Sequence, residues 1–250
     1  MSYLVSQARS LFSLRSTWVY LIITLLAVAA LPVLVVLTTR EEDDGPLSLS
    51  GFFGGSDLIC LVAIFAGAML IGAEISRGSI GWMYLSTNHR LGIALARVTL
   101  LVLGFFAAIT LGAAVAMLVV VALGHDVNFS PEGSDFLFIL ASYVEVAVFL
   151  VLAAMLTYVL GKAVYAAMIL LIDMMILELA VTAYAEGGAS WAQALAHLLP
   201  RRNTAIMMLG EDSGYTVTGS DRPVATLVLV GMVFAVTAAA GWVINRRAVN

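Results

Sequence analysis

The sequence predicts an all-α polytopic membrane protein with six transmembrane helices, and three observations carry that prediction. Only 11% of the 250 residues are charged, against about 25% in a soluble domain. The hydrophobic share is 62% and the mean hydropathy is +1.04. Apolar runs approaching the roughly 20 residues that a helix needs to cross a bilayer recur at 18–38, 58–73, 98–123, 136–160, 163–184 and 224–244. The second run is short, and its helix starts further back, near residue 54. The chain 1–250 reads as a single transmembrane domain.

Charge and cysteine usage exclude several function classes. Twelve basic residues against sixteen acidic ones, a net charge of -4, give no basic surface for nucleic acid. A single cysteine, Cys60, leaves no intrachain disulfide framework and no cysteine-cluster metal site. His89, His125 and His197 stand too far apart for metal-ligand spacing. No metal site and no bound cofactor are expected on this chain.

The opening segment 1–17 is amphipathic at helical period. Ser2, Ser6, Arg9, Ser13 and Ser16 form a polar stripe, with Leu4, Val5, Ala8, Leu11 and Phe12 opposite. That pattern suits a helix lying in the membrane interface, with Arg15 snorkelling to headgroups. The first span is longer than the apolar core of a secretory signal and reads as retained.

Lysine and arginine set the orientation. The segments 1–17, 74–97, 161–162 and 245–250 hold eight basic residues and one acid, Glu74. The opposite set holds four basic residues and most of the acids, including the run 41–44. The positive-inside rule then places both termini in the cytoplasm, in a multi-pass protein of the cell membrane. The acidic run is a solvated outer loop.

Between spans two and three, the inner segment 74–97 has its own helical signal. Gly78 or Ser79 can start a short helix, Ile80, Met83 and Tyr84 share one face, and residues 86–88 end it. A short helix with an apolar and aromatic face suits docking by a soluble partner. Glu74 can cap that turn or pair with Arg77 or Arg90. Between spans five and six, Ser190 is a good N-cap for an outer helix over 191–199, which Pro200 stops. Trp191, Leu195 and Leu198 share a face, so this helix lies in the outer interface or dips into the membrane, with Arg201 and Arg202 at headgroup level. Residues 210–221 read as an exposed loop.

This order of elements resembles the membrane subunit of type-2 ATP-binding-cassette exporters, the ABC-2 permease superfamily. The local motif is an acid, three residues, Gly, a hydroxyl residue and an aliphatic one, matched by Glu74, Gly78, Ser79 and Ile80. Small polar residues Ser86 and Thr87 and the basic residues Arg90 and Arg97 follow, with Asn88 and His89 where the family usually has proline. The resemblance implies a nucleotide-binding ATPase subunit docked on 78–89, through Glu74, Arg77, Gly78, Ser79, Ile80, Met83, Tyr84 and Arg90. It also implies ATP-Mg on that partner and a second permease, identical or a sister chain. This chain agrees in lacking a phosphate-binding loop: Gly161 and Lys162 are followed by Ala163. The implied activity is outward transport of a hydrophobic or amphipathic substrate such as a drug, peptide or lipid-like molecule.

Glu145, Asp173 and Glu178 fall inside spans, where a charge costs roughly 2.5–3.5 kcal/mol on insertion scales. They should therefore face protein or water. No Lys or Arg is expected at their depth. Asp173 and Glu178 are five apart, about 140° around an α-helix, so they do not pair on one face. Two readings stay open: a pathway lining for cations or protons, and structural hydrogen bonds between helices. Gly104, Ala108, Gly112 and Ala116 recur every fourth residue, a smooth face for close helix contact.

The alternative class is an ion-coupled secondary transporter using those carboxylates, though no inverted repeat is evident. An intramembrane enzyme is disfavoured, because His125 and His197 lie outside the spans and no catalytic constellation forms within them.

Overall fold

The computed structural model describes residues 2–38, 47–77, 90–128, 133–209 and 221–246. The acidic run 41–44, most of the outer loop 210–221 and the helix expected over 78–89 lie outside the described residues. Among those described, six helical stretches are long and apolar enough to cross a membrane: Arg15–Thr38, Leu49–Ser76, Arg90–Ala122, Asp135–Leu160, Ala163–Ala185 and Arg222–Arg246. The protein is an all-α, multi-pass membrane protein. Its strand content, among the described residues, is one two-residue parallel ladder joining β1 (Leu47–Ser48) to β2 (Val127–Asn128).

Helix α1 (Ser2–Phe12) buries Gln7 and Leu11 and packs on the helices that follow. Its last carbonyls lack helical donors, as at any helix end. The first turn of α2 (Arg15–Thr38) supplies them: Thr17 Oγ1 donates to Leu11 at 2.9 Å and Trp18 Nε1 to Phe12 at 2.8 Å. The interfacial helix and first span thus form a fixed elbow.

Small residues decide which helices touch. Helix α3 (Ser56–Ser76) packs most extensively on α5 (Gly133–Leu160). A Cβ on Gly67 would stand 2.8 Å from the Leu150 carbonyl oxygen, so these backbones are in direct contact. Ala63, Ile64, Ala66, Phe149, Ala153, Ala154 and Met155 are fully buried around them. Helix α4 (Arg90–Ala122) packs on α2 through the predicted stripe. A Cβ on Gly112 would lie 2.8 Å from the Leu25 carbonyl oxygen, and Ala116 is fully buried. The stripe is therefore a seam within the bundle. In lipid, with no hydrophobic drive between helices, such close van der Waals contact is the main source of association.

Gly161, with φ +71°, turns the chain from α5 into α6 (Ala163–Ile172). A π turn over Asp173–Leu177 joins α6 to α7 (Glu178–Glu186), and the three make the fifth span. Helix α8 (Ser190–Ala196) then doubles back along α7, burying Ala192, Ala196 and Leu199 against Val181. Helix α9 (Pro200–Leu209) lies between α5 and α10 (Asp221–Arg246).

Two expectations about this region are corrected. Pro200 does not stop a helix; it opens α9, since proline in a first turn gives up a donor that has no helical acceptor. Ser190 is the first residue of α8 rather than its cap, and no side chain caps that end.

Candidate functional site

Two polar clusters sit toward opposite ends of the bundle. The first ties α1, α3 and α4 together. Glu74, near the end of α3, forms an ion pair with Arg97, in the second turn of α4. Arg97 Nε donates to Gln7 Oε1 at 3.0 Å, and its Nη2 donates to Ser10 Oγ at 2.9 Å. Arg97 is 2% exposed and Glu74 5%. A buried charge pair of this kind repays its desolvation only when further hydrogen bonds satisfy the fork, and α1 provides them. Glu74 was expected to cap the following turn or pair with Arg77 or Arg90; among the described residues it pairs with Arg97, and the turn it would cap lies outside them. The reason is spatial: the antiparallel return of α4 brings Arg97 alongside the last turns of α3. Arg77 closes α3, with its N–H on the Ala73 carbonyl, and Arg90 opens α4. The remaining docking residues, Gly78, Ser79, Ile80, Met83 and Tyr84, lie outside the described residues.

The second cluster forms where α9 meets α3, α5 and α7. Arg201 Nη2 lies 2.5 Å from Asp57 Oδ1, and its Nε lies 3.5 Å from Glu145 Oε1. Asp57 is in the first turn of α3, where the exposed N–H groups favour an acid. Glu178 Oε1 accepts from the Arg202 backbone N–H at 2.7 Å. This carboxylate therefore takes one of the orphan donors at the start of α9. The Arg202 guanidinium turns to His197 Nδ1, 3.5 Å away. Asn203 Nδ2 donates to the carbonyls of His197 and Leu199 at 2.7 and 2.8 Å, closing the end of α8.

The position of Glu178 shows how deep this junction lies. It precedes the end of α7, Glu186, by eight residues, or roughly 12 Å at the helical rise. Helices α8 and α9 therefore make a hairpin that folds back alongside α7, and Asn203 and Thr204 in the first turn and a half of α9 are buried. Both arginines were expected at headgroup level, with none at the depth of the carboxylates. The folded-back hairpin corrects the second of these: it carries Arg201 to Glu145.

The π turn changes a second expectation. The Glu178 N–H donates to the Asp173 carbonyl, an i→i+5 bond. Residues five apart then lie closer to one face than an ideal α-helix would place them. Asp173 itself is half-buried and stays outside the contacts around Arg201. A cavity of about 290 Å3 opens here, lined by Met174, Met175, Glu178, Leu179, Thr182 and Arg201.

Gln7, Ser10, Asp57 and Thr182 were not singled out from sequence. Gln7 and Ser10 carry a partial signal, since a spacing of three puts them on one helix face. Asp57 carries none, because its partner Arg201 is remote in the chain; Thr182 carries a partial one, its spacing of four from Glu178. Compared with protein-family models and with curated proteins, the sequence matches none of them.

Proposed function

We propose that this chain is the membrane-spanning permease subunit of an ATP-binding-cassette exporter of the type-2 kind. Six apolar helices suggest a membrane transport protein. The exporter reading takes this further: both termini in the cytoplasm, a nucleotide-binding subunit on 78–89, and a second permease, identical or a sister chain, across the pathway. The cargo is a hydrophobic or amphipathic molecule moved outward across the cell membrane.

One observation carries most weight: the Glu74–Arg97 pair and its bonds to Gln7 and Ser10. These residues lie where the segment 78–89 leaves α3 and enters α4. A subunit pushing on that segment would move α3, α4 and α1 as one body, because separating them strips a buried ion pair. Helix α3 would pass the movement to α5 through the tight Gly67 contact. Force applied by an ATPase at one end would thus reach Glu145 on α5 and Asp57 on α3, beside Arg201.

The test is co-purification with the ATP-binding-cassette subunit encoded nearest to this chain, followed by ATPase assay with candidate substrates. We expect a stable complex whose ATPase activity depends on this chain. Met83→Glu and Tyr84→Pro should insert in the membrane yet lose complex or coupled activity. Assembly and transport at the wild-type level in both variants would overturn the reading.

A further inference from the structure

The cavity beside the π turn holds polar atoms that neither the hairpin nor the Arg201 contacts employ. Glu178 is 3% exposed, and while its Oε1 holds α9, its Oε2 has no hydrogen-bond partner among the described residues. Thr182 Oγ1 is likewise buried without a partner among them. The two residues are four apart on α7, so both lie on one helix face, and both line the cavity. Arg201 closes another side, but its guanidinium is engaged by Asp57 and Glu145. Asp57 and Glu145 already exceed that one charge, and the three carboxylates of the junction, Glu178 included, still outnumber its two arginines, Arg201 and Arg202.

We propose that this cavity binds the ammonium head of an amphipathic organic cation. Glu178 Oε2 and Thr182 Oγ1 accept hydrogen bonds from the ammonium group. Met174, Met175 and Leu179 take the apolar substituents; Met is polarizable and conforms to different shapes. Leu179 and Met175 are 73% and 47% exposed, so the cavity is open beside them and the tail of the ligand extends outward. The volume of about 290 Å3 is near the lower end for ligand sites and fits a head with short substituents. A hard metal ion is a poor match, since it needs six or more oxygen ligands and half of this lining is thioether and alkyl. An anion is a poor match because the cation at hand is already paired with two carboxylates.

As the head of a transported substrate, the ammonium ligand rests on the exporter reading; as a bound ligand it does not. The experiment therefore measures binding with no ATPase present. The full chain in nanodiscs of neutral lipid is titrated with radiolabelled phenethylammonium, with empty nanodiscs as background. Saturable binding is expected, with the uncharged analogue 2-phenylethanol competing at least tenfold more weakly. Glu178→Gln keeps a carbonyl for the Arg202 N–H but removes the charge. It should weaken binding about tenfold or more, as loss of a charged hydrogen bond does. Thr182→Val should weaken it a few-fold. If Glu178→Gln is not monodisperse, Leu179→Trp replaces it: this fills the mouth, leaves Glu178 on α9, and should abolish binding. Absence of saturable binding, equal competition by 2-phenylethanol, or wild-type affinity in the decisive variant would overturn the proposal. A Glu178-dependent site in a chain that assembles with no ATP-binding-cassette subunit would keep the site and remove the exporter reading. A working ATPase complex without the site would do the reverse.

Discussion

Arg97 is the residue whose removal should cost most at the α1 end. Taking one partner from a buried ion pair leaves the other charge unpaired, a loss of about 3–5 kcal/mol. Arg97→Ala also strands Gln7 and Ser10, which bond to its guanidinium. We therefore expect Arg97→Ala and Glu74→Ala each to destabilise the purified protein by about that amount in denaturant titration. The pair Glu74→Leu with Arg97→Met should lose clearly less than the two single changes summed, since no charge is left alone. Additive losses would mean that the two side chains are not coupled. The basic residues of 74–97 were read from the sequence as topology signals, with Arg77 and Arg90 also as docking candidates. Arg77 is exposed at the end of α3, whereas Arg97 is buried, which the sequence does not signal because burial depends on where α1 lies.

At the scale of elements, glycine and alanine set which helices approach. Gly67→Ala should destabilise by about 1–3 kcal/mol, the usual cost of overpacking, because the new Cβ would meet backbone, the Leu150 carbonyl oxygen at 2.8 Å. Gly231→Ala, in α10, meets nothing within 4 Å and should leave stability unchanged or slightly raised through helix propensity. Thermal unfolding of both variants in one detergent checks this; equal midpoints would dismiss the backbone contact. The existence and type of the long helices were legible because apolar runs of that length have no other stable form in lipid. The hairpin of α8 and α9 was not. Its seven- and ten-residue helices are too short to announce their fold-back, and Pro200 signals a helix start and a helix stop equally well.

For the whole molecule, the fold divides the chain between two ends and buries the start of α9. Single cysteines in a Cys60→Ser background test this in intact cells with an impermeant thiol reagent. Ser48→Cys and Ser213→Cys should react, while Asn250→Cys should stay silent. Asn203→Cys should also resist labelling, because that position, near the start of α9, is 1% exposed. Labelling at residue 250 with silence at 213 would invert the topology. Strong labelling at 203, with the protein still folded, would remove the buried fold-back of the hairpin.

The sequence by itself determined that this chain spans a membrane six times, which helices are long, and that three carboxylates had to be sheltered from lipid. Those properties follow from composition and from the length of apolar runs, which act on each segment alone. Only the tertiary structure decided what shelters the carboxylates. Glu145 meets Arg201 across 56 positions of sequence, and Glu178 meets the Arg202 backbone across 24. Such pairs depend on how α9 descends between α5 and α10, and on a π turn that shifts Glu178 relative to Asp173. No local period encodes either, because hydrophobic periodicity reports which face is buried and not which neighbour buries it.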